Sequence, residues 1–277
     1  ELSESNISAL YATPAGSVAA YVSSLAALPP DSNLAGYWAL DEGSGTSVLD
    51  STSNANDGTV STATFADGVS GKCLSFNGTS GAAVITDATA IQDIFDSGGT
   101  ISAWINPNSD GEGNFGRVTD KSVGTTKGAI LYVTNDDGTN ARLDFYHVFS
   151  GTNGQWYTDS LALTLNQWNH VAVTYDNSAV GNDPTIYVNG VVQGVTQSLT
   201  PTGPRTSDVG ADLYIGNRSD EARTFDGEID EVRVYSTELD ASQIMALYTN
   251  PGGNTVTTIG PDQISTTNLS AISATLG

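Results

Sequence analysis

The sequence predicts an all-β fold: two antiparallel sheets packed as a sandwich, with helix confined to short flanking segments. Three observations predict it. The 277 residues include 30 Gly and nine Pro among many Ser, Thr, Asn and Asp, a composition suited to short strands joined by turns. Residues 166–192 read NQWNHVAVTYDNSAVGNDPTIYVNGVV, a strand, a polar loop, a second strand and a turn. Here Val171, Val173 and Tyr175 recur at period two, and Asn189-Gly190 tolerates the two positive φ angles of a type I′ hairpin turn. Short apolar runs bounded by turn residues then recur along the chain from Leu34 to Tyr235.

Taken in order, residues 1–16 (ELSESNISALYATPAG) match residues 238–253 (ELDASQIMALYTNPGG). Each copy predicts a short helix. Ser3 or Asp240 is the N-cap, Ile, Leu and Tyr form one apolar stripe, and Pro and Gly stop the helix. Residues 17–28 predict a connecting helix with Val18, Tyr21, Val22 and Leu25 on one face, ended by Pro29-Pro30. Strands are expected at 37–40, at 72–76 and 82–85 around Asn77-Gly78, and at 100–105 with Trp104. Further strands are expected at 128–134 and 142–149, at 156–160, at 168–175 and 186–192, at 213–216 and at 228–235. Residues 48–58 form an Asp/Asn-rich loop. Trp38, Trp104 and Trp168 are expected in the core. This divides the chain into a helical lead-in (1–30), the sandwich (31–250) and a linker (251–277).

Three of these stretches together resemble the laminin-G-like, or concanavalin-A-like, jelly roll. YWALDEGSGTSVLDSTSNANDG, from Tyr37, is similar to that family's opening strand and loop. W-x-H-V-A-V-T-Y-D from Trp168, followed by I-Y-V-N-G, is similar to its central hairpin, and FDGEIDEVRVY, from Phe225, to its closing strand. The resemblance implies an antiparallel two-sheet jelly roll with a closing helix after the last strand, so residues 1–16 resemble the tail of a preceding domain. It also implies one structural calcium ion, with Asp50, Asn54 and Asp230 at the matching positions and loop carbonyls completing the six to eight oxygens calcium takes. The plainer reading is that Asp50 and Asn54 close Asx-turns. From Ile259, IGPDQISTTNLSAISATLG resembles the Ile/Leu-Ser-Ala segments of bacteriophage tail-tip and central fibre proteins, where they lead into a trimeric stalk. A Ser/Thr linker is the alternative.

Charge narrows the function classes. Nine basic residues against thirty-one acidic ones give a net charge of −22, which disfavours nucleic acid as a partner. No apolar run is long enough to span a bilayer, so membrane insertion is not expected. The single cysteine, Cys73, forms no intrachain disulfide and reads as a small buried apolar residue. The chain begins at Glu1 and reads as a segment of a longer polypeptide.

Catalysis has one foothold. Glu228 and Asp230 lie at period two on the closing strand, and paired carboxylates on such a strand resemble the nucleophile and acid of some jelly-roll glycoside hydrolases. The third position of that ladder is Val232, so no catalytic residue is assigned. His147 and His170 sit in separate strands without a nucleophile motif. A glycan site needs aromatic faces beside groups that bond hydroxyls. Tyr146, Phe149, Asn153, Trp156, Tyr157, Arg218 and Arg223 supply them.

The reading is therefore a non-catalytic binding or display module of a phage tail fibre, in the virion, contacting host surface glycan, with a homotrimer formed through the C-terminal extension. The alternative is an extracellular carbohydrate-binding accessory domain of a secreted bacterial enzyme or adhesin. A hydrolase using Glu228 and Asp230 is the third reading.

Overall fold

The computed structural model describes residues 28–253. The first repeat copy, the connector before Leu28 and the Ile/Leu-Ser-Ala segment lie outside the described residues. The strands, in order, are β1 (Leu34–Trp38), β2 (Ser47–Val48), β3 (Gly58–Ser61), β4 (Thr64–Asp67), β5 (Lys72–Asn77), β6 (Ala82–Ile85), β7 (Gly99–Pro107), β8 (Gly116–Ser122) and β9 (Gly128–Thr134). They continue with β10 (Asn140–His147), β11 (Gly154–Thr158), β12 (Leu163–Thr164), β13 (Asn169–Tyr175), β14 (Thr185–Val188), β15 (Val191–Val192), β16 (Val195–Leu199), β17 (Leu213–Ile215) and β18 (Asp226–Tyr235). One α-helix, α1 (Ala241–Thr249), follows.

An eight-stranded sheet runs β15-β14-β13-β7-β18-β5-β4, with β1 also on β18, and a ten-stranded sheet runs β16-β11-β10-β9-β8-β17-β6-β3-β2, with β12 on β10. All the strand pairs are antiparallel, and the two sheets form the sandwich the patterning predicts. Side chains alternate across each strand, so every second residue reaches the space between the sheets. Ala103, Ile105, Val171, Val173 and Ile229 enter it from one side, and Leu131, Val133, Leu143, Phe145 and Trp156 from the other. Each buried Val, Leu, Ile or Phe side chain among them contributes about 1.5–3 kcal/mol by leaving water.

The central hairpin is as read. Asn189 and Gly190 take φ of 52° and 76°, and Val171 pairs with Val188. The closing helix is also as read. Asp240 accepts hydrogen bonds from the Ser242 and Gln243 amides, and the Gln243 side chain accepts from the Asp240 amide, a complete capping box. Its apolar stripe, Ile244 and Leu247, lies on Ala172, Tyr187 and Tyr235 and so covers the outer face of the eight-stranded sheet. His147 is enclosed by Phe95, Phe145, Phe149 and Tyr175. His170 lies beneath Trp104 and Tyr248. Burial pushes both imidazoles down to about 3, so neither carries charge at neutral pH.

Three expectations change. Trp168 is only half-buried, because it precedes β13 instead of lying within it. Trp104 is buried on the outer face under Tyr248, stacked at 5.6 Å, and not between the sheets. On β18 a bulge interrupts period two. Glu231 has φ of 55°, and the register with β7 slips between Asp230 and Arg233. Val232 therefore turns into the core, and the outward row continues through Arg233.

Candidate functional site

The outer face of the ten-stranded sheet gathers aromatic and hydrogen-bonding side chains. On β10 the inward set is Ala141, Leu143 and Phe145, which leaves Arg142, Asp144 and Tyr146 facing out. On β11 Trp156 points in, so Gln155 and Tyr157 point out. On β9 Leu131 and Val133 point in, so Ile130, Tyr132 and Thr134 point out. Register then aligns two rows across four strands: Arg117, Tyr132, Asp144, Tyr157, and Asp120, Ile130, Tyr146, Gln155.

These side chains hold one another in place. Gln155 donates to the Tyr132 hydroxyl at 2.8 Å and to Asp144 Oδ1 at 3.3 Å, and Thr134 donates to Asp144 Oδ2 at 2.6 Å. Arg117 Nε meets Asp120 Oδ2 at 3.0 Å and lies over the Tyr132 ring at 4.7 Å. Ser122 donates to Asp120 at 2.5 Å. Arg142 lies over the Tyr157 ring at 4.1 Å, with Asp144 3.9 Å away. Burial raises the pKa of Asp144 and Asp120 and lowers that of Arg117, so the low-dielectric surroundings oppose charge on both sides of the Arg117–Asp120 pair.

Two hollows open on this face. The first, of about 440 Å³, is lined by Arg117, Asp120, Tyr132, Tyr146, Arg218 and Arg223, with Phe115 and Gln155. The second, of about 360 Å³, is lined by Asp110, Thr134, Arg142, Asp144 and Tyr157, again with Phe115 and Gln155. Four of the chain's nine basic residues line the two.

Of the expected ligand residues, the structure brings Tyr146, Tyr157, Arg218 and Arg223 to this face. Arg218 is clamped to Asp220 by two bonds of 2.6 and 2.7 Å, and Arg223 lies over Phe115 at 5.4 Å. Asn153 stands beside them, donating to the Tyr146 hydroxyl at 2.6 Å and accepting from the Phe149 amide at 2.9 Å. Phe149 and Trp156 are corrections. Both are buried in the core, Trp156 stacked on Phe145 with its indole N–H on Asp183 at 2.7 Å. The sequence reading missed Arg142, Asp144 and Gln155, although their alternation with Ala141, Leu143, Phe145 and Trp156 carried the signal. It also missed Phe115 and all of β8.

The carboxylates of β18 lie elsewhere. Glu228 is half-buried, with Ser75 Oγ at 3.5 Å from its carboxylate. Asp230 is wholly buried and accepts from the Ser70 amide at 3.1 Å, and burial pushes its pKa up to about 7. The calcium expected at Asp50, Asn54 and Asp230 meets a carboxylate already in use. Asp50 Oδ1 accepts from the Tyr37 and Thr52 amides, and Oδ2 from Thr52 Oγ1 and the Asn56 amide, all at 2.9–3.0 Å. Asn54 donates to the Ala35 carbonyl at 3.0 Å. An ion at Asp50 would have to replace those bonds. Among the described residues no three His, Cys, Asp or Glu side chains gather to hold a metal. Within the same residues no helix is long and apolar enough to cross a membrane.

Known structures share the fold. The binding domain of Paraclostridial Mosquitocidal Protein 1 matches with TM-score 0.60 and 18% identity, over 79% of this chain and 52% of that one. Domain 4 of AbnA, a GH43 extracellular arabinanase from Geobacillus stearothermophilus solved with arabinotriose, matches with TM-score 0.52 and 23% identity, over 78% and 98%. The botulinum neurotoxin serotype D binding domain matches with TM-score 0.57 and 13% identity, over 79% and 52%. This chain thus spans about half the length of the two toxin binding domains. No curated protein matches its sequence. A family model does match, over residues 76–245, which take in the central hairpin, the closing strand and every strand that lines the two hollows, and by that match the chain belongs to the concanavalin A-like lectin/glucanases superfamily.

Proposed function

We propose that this chain is a non-catalytic carbohydrate-binding module and that the outer face of the ten-stranded sheet is its binding surface. The observation that carries the reading is the aligned row Arg117, Tyr132, Asp144, Tyr157. Tyrosine rings offer flat apolar faces to sugar rings, and fixed Arg, Asp and Gln groups bond hydroxyls without reorganising. The arabinotriose held by the arabinanase domain supports the ligand class. The burial of Asp230 supports a non-catalytic role, since a nucleophile or acid must reach its substrate. Affinity electrophoresis against arabinan, β-glucans, pectin and bacterial surface polysaccharides tests the reading. Retardation by at least one polymer, lost in Tyr157→Ala, is expected. Hydrolysis of any of them that disappears in Glu228→Gln would overturn the non-catalytic assignment.

Placement in a phage tail fibre that contacts host surface glycans is the finer proposal, supported by the resemblance of residues 259–277 to stalk-entry segments. An extracellular accessory domain of a secreted bacterial enzyme or adhesin is the second, and the arabinanase neighbour favours it. Neighbouring genes separate them, tail and capsid genes or polysaccharide-degradation genes. Light scattering on a chain extended past Gly277 tests the trimer expected of a fibre.

A further inference from the structure

We infer that the site takes a chain of sugars, with consecutive units in both hollows, and not a single terminal sugar. This rests on the carbohydrate-binding reading above. The two hollows share two side chains, Phe115 and Gln155, and no others. These form a saddle between them. Gln155 is fixed in the floor by its bonds to Tyr132 and Asp144. Phe115 is 41% exposed, with the Arg223 guanidinium 5.4 Å and the Tyr132 ring 6.2 Å from its ring centre. Its place on the ridge that both hollows share, and not its exposure alone, puts it in the path of a ligand that enters both. A saddle with an aromatic crest suits a polymer that crosses it, one unit packed on the exposed part of Phe115 and its neighbours lowered to either side.

The dimensions agree. Strands lie about 4.8 Å apart, so a row from β8 to β11 spans roughly 14 Å. Each hollow falls within the size range of small-ligand pockets. Both offer paired donors and acceptors: Arg117–Asp120 and Arg218–Asp220 in the first, Arg142 and Asp144 in the second. Both are therefore furnished for hydroxyl groups, and a one-unit ligand would leave one set unused.

The test is calorimetric titration with ladders of one to six units from arabinan, β-1,3-glucan, β-1,4-glucan and polygalacturonate. In the ladder that binds, affinity should rise at least tenfold from one unit to three. Phe115→Ala should bring the three-unit to one-unit ratio close to one, and Phe115→Tyr should restore it. Equal affinity for one unit and three, or a ratio unchanged in Phe115→Ala, overturns the inference and leaves the carbohydrate-binding reading standing. Binding to none of the ladders, together with no retardation by any polysaccharide, overturns both.

Discussion

The outer face of the eight-stranded sheet lies beneath α1 and the turn after it, whereas the outer face of the ten-stranded sheet is lined by hollows. Both faces carry aromatics and charge. On the covered face Glu231 and Arg233 pair at 2.7 Å, Arg233 lies over Tyr37 at 4.1 Å, and Trp104 stacks on Tyr248. Several polar atoms there, including Trp104 Nε1, both His170 nitrogens and Asp230 Oδ1, are buried without a hydrogen-bond partner. On the other face Gln155 joins Tyr132 to Asp144, Arg117 and Ser122 hold Asp120, and all of them remain at the wall of a hollow. Charge and aromaticity are thus shared by both faces. Access separates them, and access is decided by where the closing helix lands.

That contrast can be broken at its strongest point first. Arg233→Ala should destabilise the fold by about 3–5 kcal/mol, since it leaves the Glu231 carboxylate buried with the Tyr37 hydroxyl but without its opposite charge. Urea unfolding measures this, and a loss under about 1 kcal/mol would show that the covered ion pair does not hold the face together. A pH effect comes next. Asp230 has its pKa raised by burial to about 7, against about 4 in an unfolded chain. Between those values the folded protein keeps a proton that the unfolded chain has released. Its contribution to stability is therefore present at low pH, falls as pH rises from about 4 to 7 and is gone above that. Asp230→Asn should flatten that slope relative to wild type in melts at pH 4.5, 6 and 7.5; parallel slopes would refute the assignment.

On the open face the order of effects reverses. Arg142→Ala should change stability by about 1 kcal/mol or less, because the side chain is partly exposed and its carboxylate partner is 3.9 Å away. Polysaccharide retardation should nevertheless weaken severalfold, and an unchanged gel shift would remove Arg142 from the site. The smallest effect is expected from calcium. The four bonds to Asp50 fill its acceptor positions, so melting in millimolar calcium and in chelator should coincide. A higher melting temperature with calcium would mean that the loop gives up those bonds to an ion.

How far the sequence reached follows the same division. The central hairpin and the capped helix were legible because each rests on local chemistry: two positive φ angles at Asn189-Gly190, and a side-chain oxygen at Asp240. β8 was not. Its run GRVTDKS has no apolar alternation, since Lys121 is held inside by Asp87 and the Ala211 carbonyl and a register slip disturbs Arg117–Thr119. Trp156 and Tyr157 show a second limit. Two adjacent aromatics must face opposite ways, and the pairing with β10 decides which one is buried. Local signals thus gave most of the scaffold and Tyr146, Tyr157, Arg218 and Arg223 of the hollows, while the arginines and acids of β8 and β10 needed the register of four strands.

The bulge at Glu231 carries one more consequence. Glu231 and Val232 together occupy the space opposite Ala103, so β18 is one residue longer than its pairing requires. Removing Glu231 would leave the reading frame of the strand intact: Ile229, Val232 and Val234 would still fill the interior, and Arg233 would still look outward. What the extra residue supplies is a carboxylate for Arg233 and for the Tyr37 hydroxyl at 2.7 Å. Deletion of this one residue therefore keeps the strand's inward and outward faces and removes a buried charge.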